Sequence, residues 1–117
     1  MGNRMFKSHH GTYLTAEGDR VFAHHAHHDH HSKFHVEQHG GKVALKTHHG
    51  HYLSIDGNQA YISHHLHGEH SLFHLEHHGG HVSIKGHHGK YLIVDHHGHV
   101  SVHHDHSHDA HFTEIVC

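Results

Sequence analysis

Histidine offers the most chemistry in this chain, with 31 of 117 residues. The densest run is His24-His25-Ala26-His27-His28-Asp29-His30-His31. Two further clusters follow, His64-His65-Leu66-His67 with His70, and His103-His104-Asp105-His106-Ser107-His108. An unperturbed imidazole titrates near pH ~6.5, so these runs would turn cationic just below neutrality and could hold a polyanionic partner. Charged neighbours repel one another, which spreads the titration. Neutral imidazole is also the commonest metal ligand, and such loops would take up zinc, copper or nickel opportunistically. A dedicated zinc site usually recruits cysteine or a defined ligand set, and here the ligands are scattered over loops. No metal site is therefore expected, and histidine-rich metal buffering stands as the alternative function. The plainest reading is a solvated polar loop.

The formal charge is −3 with histidine neutral. With about a quarter of the imidazoles protonated at pH 7 the net charge becomes about +4, and at pH 6 it reaches the order of +20. Lysine or arginine would make a fixed basic patch, whereas histidine makes the charge conditional. Catalysis is not expected. A catalytic histidine needs a nucleophile and an orienting partner in a cleft, and no Ser, Cys or carboxylate motif accompanies these residues. A small, filled barrel also leaves no deep pocket. Nucleic acid is not expected as the polyanion, because there is no Lys/Arg patch and no platform for base stacking.

The elements that position the histidines follow a 39-residue period. His-His-Gly-x-Tyr-Leu begins at His9, His48 and His87, and Lys7, Lys46 and Lys85 precede it at constant spacing. Phe34, Phe73 and Phe112 recur in step. Three units of 39 account for the whole chain, giving one domain over residues 1–117 with repeats at about 1–39, 40–78 and 79–117. Within a unit, Val43-Ala44-Leu45, Tyr52–Ile55, Ala60-Tyr61-Ile62 and Phe73-His74-Leu75 read as four short strands. Asp56-Gly57 signals a hairpin, and Gly11, Gly50 and Gly89 supply turns. Twelve strands in three equal units predict an all-β fold, a β-trefoil with a six-stranded barrel capped by three hairpins. A propeller with so few blades is disfavoured. The predicted core triads are Leu14/Leu53/Leu92, Phe6/Leu45/Ile84 and Phe34/Phe73/Phe112. Tyr13, Tyr52 and Tyr91 are expected to pack in the core or at the barrel rim. No apolar run is long enough to span a bilayer as a helix, and no secretory leader is visible. The single cysteine, Cys117, allows no intrachain disulfide, which suits a reducing cytosol.

Met1-Gly2 is a possible start for N-terminal acylation, although Phe6 stands where that pattern prefers Ser or Thr. Gly2 also falls in register with the turn glycines Gly41 and Gly80.

Met1-Gly2-Asn3-Arg4, the His-His-Gly-x-Tyr-Leu repeats and the segment Leu66–Glu76 together resemble the hisactophilins over the full length. The unit also shows a weaker likeness to the trefoil repeats of fascin and the fibroblast growth factors. The resemblance implies a β-trefoil that binds actin in a pH-dependent way and carries myristate on Gly2. It further implies a cytoplasmic protein, peripheral at the inner face of the plasma membrane and associated with the cytoskeleton. The partners expected on this basis are actin and an anionic membrane surface, met by a monomer. A single acyl chain anchors only marginally, so protonated histidine would supply the second signal. A sequestered chain is expected near the layer of Phe6, Leu45 and Ile84.

Overall fold

Runs of four to six residues form the strands of the computed structural model, which describes residues 2–25 and 30–117. Among these residues there are twelve: β1 Asn3–Ser8, β2 Tyr13–Glu17, β3 Arg20–His24, β4 Phe34–His39, β5 Lys42–Lys46, β6 Tyr52–Asp56, β7 Gln59–Ser63, β8 His74–His78, β9 His81–Lys85, β10 Tyr91–Val94, β11 Val100–His103 and β12 Phe112–Val116. Strands four apart in order lie 39 residues apart in sequence, so β1, β5 and β9 are equivalent. Four single 3-10 turns complete the elements, at residues 30–32, 68–71, 87–89 and 108–110.

Antiparallel pairing closes a ring in the order β1, β4, β5, β8, β9, β12 and back to β1. The link from β5 to β8 is a bridge between Val43 and Phe73, one residue before β8 begins. The remaining strands form three hairpins, β2–β3, β6–β7 and β10–β11. These hairpins touch one another through Ser101 with Gln59 and Phe22 with His99. The result is the expected all-β trefoil, a six-stranded barrel with three hairpins at one end.

All nine residues of the predicted triads are at most 1% exposed. Burying large apolar side chains of this size contributes roughly 1.5–3 kcal/mol each. The glycine of each His-His-Gly turn has positive φ (83°, 81° and 70° at Gly11, Gly50 and Gly89), as a turn reading requires. His88 takes the same left-handed region, with φ of 62°, the one non-glycine among the described residues to do so. Gly98 is constrained twice, by φ of +85° and by the Ala23 carbonyl oxygen, which would lie 2.2 Å from an added Cβ. That close approach allows the Ala23 N–H to donate to the Gly98 carbonyl at 2.9 Å, joining two hairpins.

Candidate functional site

In each unit a long loop joins the third strand to the fourth. Buried hydroxyl pairs pin the first two of these loops to the barrel: Thr15 with Ser32 at 3.0 Å, and Ser54 with Ser71 at 2.7 Å. The third unit has Ile93 and Ala110 at the same positions, an apolar substitute for the pair. Beside each pair stands a residue that ties the loop down a second time. His31 Nδ1 lies 3.2 Å from the Ala16 carbonyl oxygen, and His70 Nδ1 lies 2.8 Å from that of Ile55. The equivalent Asp109 instead pairs with His10 at 2.8 Å.

This docking brings each loop against a neighbouring His-His-Gly turn. In the first junction His30 stacks on His48 with ring centres 4.7 Å apart, and His31 lies 5.6 Å from His49. His51 extends the cluster to His64, stacked at 4.2 Å, and Asp19 lies 3.4 Å from His64. In the second junction His67, His70, His87 and His88 follow one another at 5.0, 4.6 and 4.4 Å. The third joins the two chain ends. His108 stacks on His9 at 5.2 Å, and His111 lies 3.9 Å from His81 and 5.0 Å from His106. His106 also stacks on Tyr91 at 4.6 Å and reaches the Ser83 hydroxyl at 2.5 Å.

The structure therefore divides the histidines singled out by sequence. His30, His31, His64, His67, His70, His106 and His108 enter these clusters. His24 packs beside Phe22 at 5.4 Å. His25, His65, His103 and His104 are exposed. His27 and His28 lie outside the described residues. His9, His48, His49, His51, His81, His87, His88 and His111 were not singled out, although they complete the clusters. For His9, His48, His49, His87 and His88 the available signal was the repeated His-His-Gly itself, whose histidines read simply as turn residues; His51, His81 and His111 lie outside that motif.

Electrostatics distinguish members of the clusters. Burial pushes His87 below the usual imidazole range, helped by the nearby charges of His88 and His70. Its Nε2 is buried without a hydrogen-bond partner, which favours the neutral ring. Burial likewise lowers His111, reinforced by His81, His106, His108 and His78. Away from the clusters, backbone N–H groups of His99 and His97 hold Asp95 below the ordinary carboxylate range. At the barrel rim Lys7, Lys46 and Lys85 lie over Tyr13, Tyr52 and Tyr91 at 5.9, 5.9 and 5.8 Å, which explains the recurring lysine and places the tyrosines as expected. Tyr52 and Tyr91 donate to Glu37 and Glu76. Among the described residues no group of three or more His, Cys, Asp or Glu is arranged to hold a metal ion.

Two open surface cavities lie on the filled barrel. One, of about 390 Å³, opens at the barrel end and is lined by Val36, Val43, Phe73, Leu75 and Val116, with Arg4 and Glu114 at its polar edge. Arg4 pairs with Glu114 at 3.0 Å, and His77 reaches the other Glu114 oxygen at 3.0 Å. The Val36 N–H donates to the Gly2 carbonyl at 3.5 Å, which sets Gly2 beside this cavity. The layer of Phe6, Leu45 and Ile84, expected to adjoin a sequestered acyl chain, is fully buried and lines neither cavity. The second cavity, of about 440 Å³, lies between β1, β4 and β5.

Comparison with known proteins gives a consistent assignment. The family model for the fascin domain matches residues 2–64 and 58–116. Hisactophilin-1 of Dictyostelium discoideum is 71% identical over 45 residues, and Hisactophilin-3 of the same organism is 65% identical over 46. These alignments span 38% of this chain, and 38% and 39% of the respective relatives. A solved hisactophilin structure, described as similar to interleukin-1β and fibroblast growth factor, superposes with a TM-score of 0.84. It is 69% identical, and the match covers all of both chains.

Proposed function

The chain belongs to the hisactophilins within the fascin-domain family, and from that premise we propose that it is a pH-sensitive binding module that joins actin filaments to the inner face of the membrane. The observation that carries this reading is the gathering of histidines from sequence-distant loops into three clusters at the unit junctions. Rings 4–6 Å apart add their charges to one local positive potential as pH falls, and their mutual repulsion spreads that gain over a wider range of pH. An acidic filament or an anionic leaflet then binds more tightly as pH falls. The relatives' name supports actin as one partner, and the histidine surface supports the sign of the pH dependence.

Lipidation of Gly2 is part of the proposal. Gly2 lies beside the barrel-end cavity, whose Val36, Val43, Phe73, Leu75 and Val116 would offer an acyl chain an apolar wall when it is not in the bilayer. Glu114 is shared by Arg4 and His77 at the same rim, so protonation of His77 would change the charge balance where the chain enters. One acyl chain binds membranes marginally, and conditional positive charge provides the second attraction.

Binding, not catalysis, is the role proposed. Metal buffering is the second reading, and the clusters lack a preorganised ligand set among the described residues. Co-sedimentation with filamentous actin at pH 6.0 and 7.5, with and without a chelator, separates the two. The charge reading expects strong binding at the lower pH whether or not chelator is present. Loss of binding on chelation would support the metal.

A further inference from the structure

The cavity between β1, β4 and β5 is cationic and breaks the threefold symmetry of the molecule. Its wall carries Lys33, Lys46, His30, His35, His48, Thr47 and Asn3. Among the described residues, Glu37 is the one carboxylate in ion-pair reach of this wall, 3.5 Å from Lys46. Among the described residues no carboxylate pairs with Lys33. Thr47 is buried, and its oxygen accepts from the His51 N–H at 3.1 Å. Accepting that bond leaves its own O–H available as a donor.

The two symmetry-related positions are built differently. In the second unit Glu69 replaces His30 and Leu72 replaces Lys33. In the third, the same two places hold His108 and His111, and His111 stacks on His81 at 3.9 Å. The fold thus makes the same junction three times, and only the first combines two lysines with three imidazoles around an open volume of about 440 Å³. Fixed lysine charge with hydroxyl and imidazole donors is the chemistry that binds phosphomonoester oxygens.

We infer that this cavity is a binding site for one multiply phosphorylated anion, of the kind carried by an inositol phosphate headgroup. The inference rests on the polyanion-binding reading above and narrows it to one pocket and one ligand class. The ligand could be a free phosphorylated sugar alcohol or the headgroup of a phosphoinositide lipid, since both present the same oxygens.

The test uses the full chain at pH 6 with inositol trisphosphate, followed by calorimetry and by NMR shifts of assigned residues. The expected result is one ligand per chain, with shifts confined to Lys33, His35, Lys46, Thr47 and their neighbours. His30→Glu with Lys33→Leu installs the second unit's residues, which that unit tolerates, and should weaken binding by about tenfold or more. Each variant's thermal midpoint confirms that it is folded. Vesicles containing phosphatidylinositol bisphosphate are compared with phosphatidylserine vesicles of equal charge. Stronger partitioning to the former, lost in the double variant, identifies a lipid headgroup. Equal partitioning with retained inositol trisphosphate binding identifies a soluble ligand. Shifts spread over all three junctions, or affinity unchanged in the double variant, would overturn the pocket in favour of delocalised charge. Absence of inositol trisphosphate binding alongside intact pH-dependent actin binding would overturn the pocket and leave the broader reading standing.

Discussion

Burial favours the neutral ring at His87 and His111, and this links their protonation to folding. A histidine lowered in the folded state stabilises fully above its unfolded pKa of about 6.5, and that contribution is lost as pH falls towards the folded value. The thermal midpoint should therefore drop between pH 7.5 and 5.5, by roughly 4 °C for each kcal/mol lost. His111→Leu places at this position the residue the second unit already has at Leu72. It should flatten the profile, as measured by calorimetry at several pH values. A wild-type midpoint that is constant across this range would contradict the assignment. None of this was visible in the sequence, where His87 is one member of a His-His-Gly turn like His9 and His48. What separates it is its burial, with an Nε2 that has no hydrogen-bond partner, a property of packing between units. The same holds for His31 and His70, which read as loop charges and prove to be ties to backbone carbonyls.

Elements were more legible than residues, because strand alternation and the 39-residue period are local. The core triads needed only the spacing of Leu14, Leu53 and Leu92 and their companions. The contact between one unit's long loop and a neighbouring turn was not legible, since it depends on how the barrel closes. Two glycines test the packing of these elements. Gly86 has ordinary backbone angles, and a Cβ there would meet the flexible Ile55 Cδ1 at 2.2 Å. Gly86→Ala should cost about 1–3 kcal/mol. Gly98→Ala must overcome both positive φ and the rigid Ala23 carbonyl. It should cost about 3 kcal/mol or more. Urea denaturation that ranks Gly86→Ala as the worse of the two would show that the hairpin contact is looser than described. Leu53→Ala, at 0% exposure, should cost about 2–5 kcal/mol by the same measurement.

At the scale of the whole molecule the decisive quantity is charge. Between pH 7.5 and 6 the surface gains on the order of 20 positive charges, where a single group would gain less than one. Only a few need face the partner. If about three interface histidines each bind a proton more tightly by about half a pKa unit in the complex, the gain is about 2 kcal/mol, or roughly thirtyfold in affinity. Because the charges are exposed, binding should weaken as salt rises. The proposed lipid would act at this scale too. Gly2→Ala should abolish acylation in a cell that carries the transferase and shift the protein away from membranes. Unchanged partitioning by fractionation would remove the lipid from the account. The net charge was readable from composition alone, whereas its gathering into three junction clusters required the fold. The central claim is that histidine protonation is the switch, and co-sedimentation with filamentous actin from pH 6.0 to 7.5 tests it most directly. The wild-type chain is compared with one in which exposed His25, His30, His64, His65, His103 and His104 are replaced by lysine. The account predicts that the wild type binds at pH 6.0 and releases by pH 7.5, more steeply than one titrating group allows, while the lysine variant stays bound throughout. A lysine variant that still releases actin at pH 7.5 would contradict it.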